Sequence, residues 1–187
     1  MKRWQKIIPI LALVLILVTG FAVRLYKINN PVADWHSWRQ ADTAAVARNF
    51  VKFGFTPFYP RYDDLSNVAS GKENPEGWRM VEFPLYQSVG YFLYIMFPKL
   101  TLEIWLRVVS ILFSLATIVF VYLLVVKYVT KLAGLFSASF LAFLPYSVYY
   151  SRTILPDVMA TSLAIGGIWL FDKAITKNGF WTSQNDG

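Results

Sequence analysis

Four long apolar runs divide this chain, and a fifth, shorter run lies in the polar segment between the first two. The long runs predict helical spans over 7–26, 108–126, 132–150 and 153–171. At 1.5 Å per residue each is long enough to cross, or nearly cross, a hydrocarbon core of about 30 Å. The short run, Leu85 to Phe97, is bounded by Pro84 and Pro98. As a helix it would reach about 20 Å, too little to cross. It is predicted to lie in the membrane interface, with Tyr86, Tyr91, Phe92 and Tyr94 as anchors.

The polar segment, 27–107, carries its own local signals. Ser37 and Gln40 have the spacing of a capping box, which predicts a helix starting at Trp38. Ala41, Ala44, Ala45 and Ala47 support that helix, and Gly54 is a suitable stop. Thr56 to Pro60 reads as extended, and Asp63 to Gly77 as a mobile loop with solvated charges at Arg61, Asp63 and Asp64. Near the end of the chain, Pro156 suits the first turn of the last helix, which would place Asp157 by its positive end.

Charge decides the orientation of the runs. Lys2, Arg3 and Lys6 precede the first span and place the N-terminus in the cytoplasm. If Leu85–Phe97 does not cross, Lys127, Lys131, Lys173 and Lys177 all join them there. If it crosses, those four lysines fall outside, against the positive-inside tendency. The expectation is therefore an all-α integral membrane protein, a single membrane domain over 1–187. It has about four transmembrane helices and a long outer-face loop with interfacial helices. The first run is longer than a signal-peptide core and no small-x-small cleavage site follows it, so an uncleaved signal anchor is expected.

Composition agrees. The 187 residues are 56% hydrophobic and 18% aromatic, which excludes an ordinary soluble domain. The net charge of +7 comes from cations beside the apolar runs, with no separate basic domain, so nucleic acid is not an expected partner. There is no cysteine, which excludes disulfides and thiolate chemistry.

Candidate chemistry concentrates in Asp34-Trp35-His36-Ser37-Trp38-Arg39-Gln40-Ala41-Asp42, at the outer mouth of the first span. The stretch holds the only histidine, two carboxylates and an arginine among tryptophans, and such groups are costly beside a membrane unless used. Asp34 and His36 would precede a helix N-terminus, where backbone N–H groups favour an anion such as phosphate. The predicted topology brings Glu82, Arg152 and Asp157 to the same face. Plainer readings stand beside these. Arg39 and Asp42, three residues apart, can simply pair. His36 can be a structural hydrogen-bonder, Asp34 and Asp157 can cap helix or span ends, and Glu82 can be an ordinary loop residue. Tyr146, Tyr149 and Tyr150 can line a groove for a lipid carrier.

Three pieces, in order, carry a resemblance: Asp34 with the helix after it, Glu82-Phe83-Pro84-Leu85-Tyr86, and Ser151-Arg152-Thr153-Ile154-Leu155-Pro156-Asp157. In this order the chain resembles the GT-C membrane glycosyltransferases, specifically the protein O-mannosyltransferases and lipid A aminoarabinose transferases. The resemblance implies a partial GT-C fold and transfer of a sugar from a polyprenyl-phosphate carrier to a protein, lipid or glycan acceptor, with inversion at the sugar. It implies an active site on the outer face of a bacterial inner (plasma) membrane. It assigns Asp34 as general base. It places Glu82 near the donor phosphate or a divalent metal ion, the one candidate cofactor, and makes Arg152 and Asp157 cavity residues, with Arg152 toward phosphate. His36, Arg39 and Asp42 are further candidates for substrate or phosphate, and His36 also for metal. Two departures count. Many relatives have Asp-Glu where this chain has Asp34-Trp35, and family members are commonly longer, so an N-terminal portion of a longer enzyme, inactive by itself, is expected. The alternative function is a non-catalytic membrane scaffold or lipid-carrier-binding subunit. A transporter fits less well, because the charged groups sit at span ends and not at mid-membrane.

Overall fold

The computed structural model describes residues 4–32, 35–68 and 70–177. Seven helices follow in order: α1 (Trp4–Arg24), α2 (Ser37–Phe53), α3 (Leu85–Met96), α4 (Leu102–Tyr128), α5 (Lys131–Phe143), α6 (Pro145–Tyr150) and α7 (Asp157–Lys177). No strand forms among the described residues; Arg61 and Trp78 make an isolated antiparallel bridge. Three helices are long and apolar enough to cross a membrane: Ile7–Arg24, Leu102–Tyr128 and Asp157–Thr176. The protein is an all-α integral membrane protein.

The run expected as one span over 132–150 forms two helices. α5 ends at Phe143, Leu144 takes φ −59° and ψ 122°, and α6 starts at Pro145. Proline disfavours helical backbone in the residue before it and has no N–H for the carbonyl four residues back, here Leu141. α5 alone has 13 residues, a rise of about 20 Å. The last helix starts at Asp157, four residues later than expected, and Pro156 lies just outside it.

The chain divides into two compact units. One holds α1, the part of α4 from Leu112 onward, α5, α6 and α7. Its core is Ile118, Tyr122, Ala138 and Ala142, covered by Leu13, Ile16 and Leu17 of α1. Gly134 lets α5 approach α4 closely: a Cβ there would meet Val126 Cγ2 at 2.6 Å. Arg24, the last residue of α1, is fully buried. Its guanidinium donates to the carbonyls of Gly20 (3.0 Å), Ala142 (2.8 Å) and Leu141 (3.2 Å) and to Ser147 Oγ (3.3 Å). The cation thus sits at the negative end of α5 and supplies the donor that Pro145 lacks. At the other end of this unit, Asp172 of α7 accepts from Lys127 Nζ at 2.5 Å and from the Tyr128 hydroxyl.

The second unit comprises Leu25–Ile111 and Ser151–Pro156. α2 buries Ala44, Ala45, Val46, Ala47 and Phe50, and Tyr62 and Tyr91 pack on its Val46–Phe50 face. Phe55 stacks on Tyr91 with ring centroids 5.4 Å apart. α3 has 12 residues and so is too short to span, as the proline brackets imply. Tyr86, however, is no interfacial anchor. It is buried, its hydroxyl donating to the Leu106 carbonyl at 2.7 Å and meeting Ser110 Oγ at 2.9 Å. The loop charges expected to be solvated are paired: Arg61 with Glu76 at 2.8 Å, Asp63 with Arg48 at 2.7 Å, and Asp64 with Arg79 at 2.5 Å.

Candidate active site

The second unit contains most of the residues singled out from sequence. Asp34 lies outside the described residues. His36 immediately precedes α2 in the left-handed region, φ 60° and ψ 32°, and caps no N–H with its side chain. A non-glycine residue held there stores strain, a feature that clusters at functional sites. The expected capping box does not form. Gln40 instead spans two elements: its Nε2 donates to the Trp35 carbonyl at 3.0 Å, and its Oε1 accepts the Ile154 backbone N–H at 3.0 Å. Gln40 and Ile154 are both buried, so this bond fixes the Ser151–Pro156 turn against the start of α2.

Arg39 pairs with Glu82 at 2.9 Å and not with Asp42. The second Glu82 oxygen accepts from Gln87 Nε2 at 3.3 Å. Asp42, one turn along α2, is half-buried. The Tyr62 phenol belongs to the same group: burial, then the carboxylates of Glu82 and Asp42, push its pKa up, against the opposing pull of Arg39. Arg152 donates to the Tyr26 carbonyl and lies 5.9 Å from the centre of the Tyr26 ring. The buried Arg107 donates to the carbonyls of Ile28 (2.6 Å) and Asn30 (2.5 Å), fixing the chain just ahead of the Asp34 stretch. Ser110 Oγ donates to the Thr153 carbonyl at 2.7 Å, a second tie on the Ser151–Pro156 turn. Asp157 is the exposed first residue of α7 and belongs to the other unit.

The family model of dolichyl-phosphate-mannose-protein mannosyltransferases matches residues 89–183, which is 95 of the 187 residues. The chain belongs to this family. It is a mannosyltransferase-like glycosyltransferase of the GT-C type. Comparisons with curated proteins and with solved structures find no match.

The interval that matches the mannosyltransferase family contains Arg152 and Asp157; Asp34, His36, Arg39, Asp42 and Glu82 precede it. Among the described residues no three carboxylate or histidine side chains converge on a metal site, and Glu82 faces Arg39 and Gln87. Sequence reasoning missed Gln40, Arg107, Ser110 and Tyr62 as site-building residues. The signal available for Arg107 and Ser110 was a polar side chain in an apolar run, which must find a buried partner.

Proposed function

We propose that this mannosyltransferase-family chain takes part in transferring a sugar from a polyprenyl-phosphate carrier to an acceptor at the outer face of the bacterial inner (plasma) membrane. Its N-terminus is then cytoplasmic, and α5 and α6 together serve as the fourth crossing. One observation carries the reading: the Gln40–Ile154 bond, which places the start of α2 and the Arg152 turn in one unit. Asp34 is the general base. It takes the proton of the acceptor nucleophile as that atom bonds to the sugar C1 and the C1–O bond to the carrier breaks, which inverts C1. The carrier leaves as polyprenyl phosphate.

Arg152 is a candidate phosphate partner, because one of its acceptors is the neutral Tyr26 carbonyl, which a phosphate oxygen can replace. Glu82 acts by holding Arg39. His36 and Asp42 flank the site as candidate substrate contacts.

The test is Asp34→Asn in the full-length gene product, assayed with a polyprenyl-phosphate sugar. Transfer is expected to fall by about 10²–10⁴, the range for loss of a general base, with membrane insertion unchanged. Because the family match begins after Asp34, a second reading stands: a carrier-binding subunit without transfer activity. Carrier binding without turnover in the full-length parent protein would establish that reading, and full activity of the Asn variant would end the base assignment.

A further inference from the structure

Within the second unit, a cleft of 440 Å³ opens between the C-terminal half of α2 and the turn joining α3 to α4. Arg48 and Lys52 line it from α2, and Lys99 from the turn. Arg48 is already engaged, by Asp63 at 2.7 Å and by Glu103 on the cleft wall at 3.9 Å. Lys52 and Lys99 are exposed, and among the described residues neither is in an ion pair. Two ammonium groups outside the ion pairs of the described residues therefore line one cavity whose carboxylate is held by a third cation. The first turn of α4, a helix of 27 residues, also opens onto this space and adds its positive end.

The surroundings of the cleft are apolar. Ile95, Met96, Phe97 and Leu100 are exposed along the end of α3 and the turn, and Val51 and Phe53 along α2. Water disfavours that much exposed apolar surface beside a cationic cavity, whereas a bilayer interface satisfies both at once. The charge calls for a phosphate and the apolar border calls for acyl chains.

We infer that the Lys52–Lys99 cleft holds the headgroup of an anionic glycerophospholipid, with Ile95, Met96, Phe97 and Leu100 against its chains. This site is apart from the Arg39–Glu82 and Arg152 group and does not rest on the transfer chemistry. Its role is to seat the α2–α3 region on the membrane surface.

The full chain is reconstituted in nanodiscs of phosphatidylcholine doped with phosphatidylglycerol, and native mass spectrometry counts the retained lipids. The parent protein is expected to enrich phosphatidylglycerol. Lys52→Gln with Lys99→Gln should reduce the enrichment about 25-fold, roughly fivefold per lysine at the usual strength of a cation near an anionic surface. Glu103→Gln should raise it. Both lysines are exposed, so the variant is expected to keep the parent's melting temperature, which is measured alongside. No enrichment by the parent, or an unchanged enrichment in the double variant, would overturn the inference. Two further arms identify the source of the phosphate. Retention of polyprenyl phosphate is expected to survive the double substitution; its parallel loss would make this the carrier's site and overturn the phospholipid assignment. Displacement of phosphatidylglycerol by millimolar inorganic phosphate would mark a free-ion site and overturn it equally.

Discussion

Arg39 and Glu82, 43 residues apart in sequence, meet at 2.9 Å and join the start of α2 to the segment entering α3. Their side chains are 26% and 27% exposed, between a surface pair and a buried one. Removing either partner leaves the other charge in a partly dry site. Glu82→Gln keeps a hydrogen-bond acceptor and loses the charge, and Arg39→Met loses the donors and the charge. A double-mutant cycle on the two, read as thermal stability in detergent, should give a coupling of about 0.5–1 kcal/mol. Additive losses would show that the pair contributes nothing as a pair.

Gln40 holds the Ile154 N–H away from water, so its loss leaves a buried donor unpaired. Gln40→Ala should destabilise the protein by about 1–3 kcal/mol, and Gln40→Glu, which keeps an acceptor for Ile154 but buries a charge against the Trp35 carbonyl, should cost at least as much at neutral pH. Thermal unfolding of the three proteins measures both. If the turn positions Arg152, Gln40→Ala should also raise the KM for the carrier-linked sugar more than it lowers kcat. A variant as stable as the parent, with unchanged KM, would remove the Gln40–Ile154 link from the account.

Arg24 and Pro145 are coupled through the Leu141 carbonyl. Pro145 cannot donate to it, and Arg24 does. Pro145→Ala restores a backbone N–H at that position. Arg24→Met alone should be strongly destabilising, because the last carbonyls of α5 lose their donors in a buried site. In the Pro145→Ala background the same change should cost about 1 kcal/mol less. Equal costs in the two backgrounds would mean that Arg24 does not act as the missing donor.

The Asp63 carboxyl sits below its ordinary value of 3.8: burial pushes it up, but the hydrogen bond and charge of Arg48, the Asn49 amide and the charge of Lys52 outweigh that. A lowered folded pKa means that the unfolded chain binds the proton more readily. The stability from this cluster is therefore complete above the ordinary carboxylate range and is lost as the pH falls through the lowered folded value. Asp63→Asn should flatten the melting-temperature profile below about pH 4 and leave the shape of the neutral part unchanged. A parent and variant with parallel acid limbs would exclude the cluster as a source of acid sensitivity.

Local signals made much of the architecture legible in the sequence. The apolar runs announced α1, α4 and α7 because a bilayer imposes length and composition on any crossing helix. Pro84 and Pro98 marked the ends of α3 because proline acts on its own and the preceding residue. Pro145 gave the same signal, and reading 132–150 as one span passed over it. The Asp34–Asp42 stretch stood out as chemistry because its polar groups are crowded beside a membrane span.

What that chemistry is attached to came only from the tertiary structure. Ser37-x-x-Gln40 has the spacing of a capping box, yet the Gln40 side chain finds Ile154, 114 residues away. Arg39 has Asp42 three residues along its own helix, yet pairs with Glu82. Tyr86 looks like an interfacial aromatic and is instead sealed against Leu106 and Ser110. In each case the sequence determined which groups demand a partner, since a buried donor or charge is costly wherever it lies. The choice among partners belongs to chain packing, which brings distant acceptors closer than local ones and which no local pattern encodes.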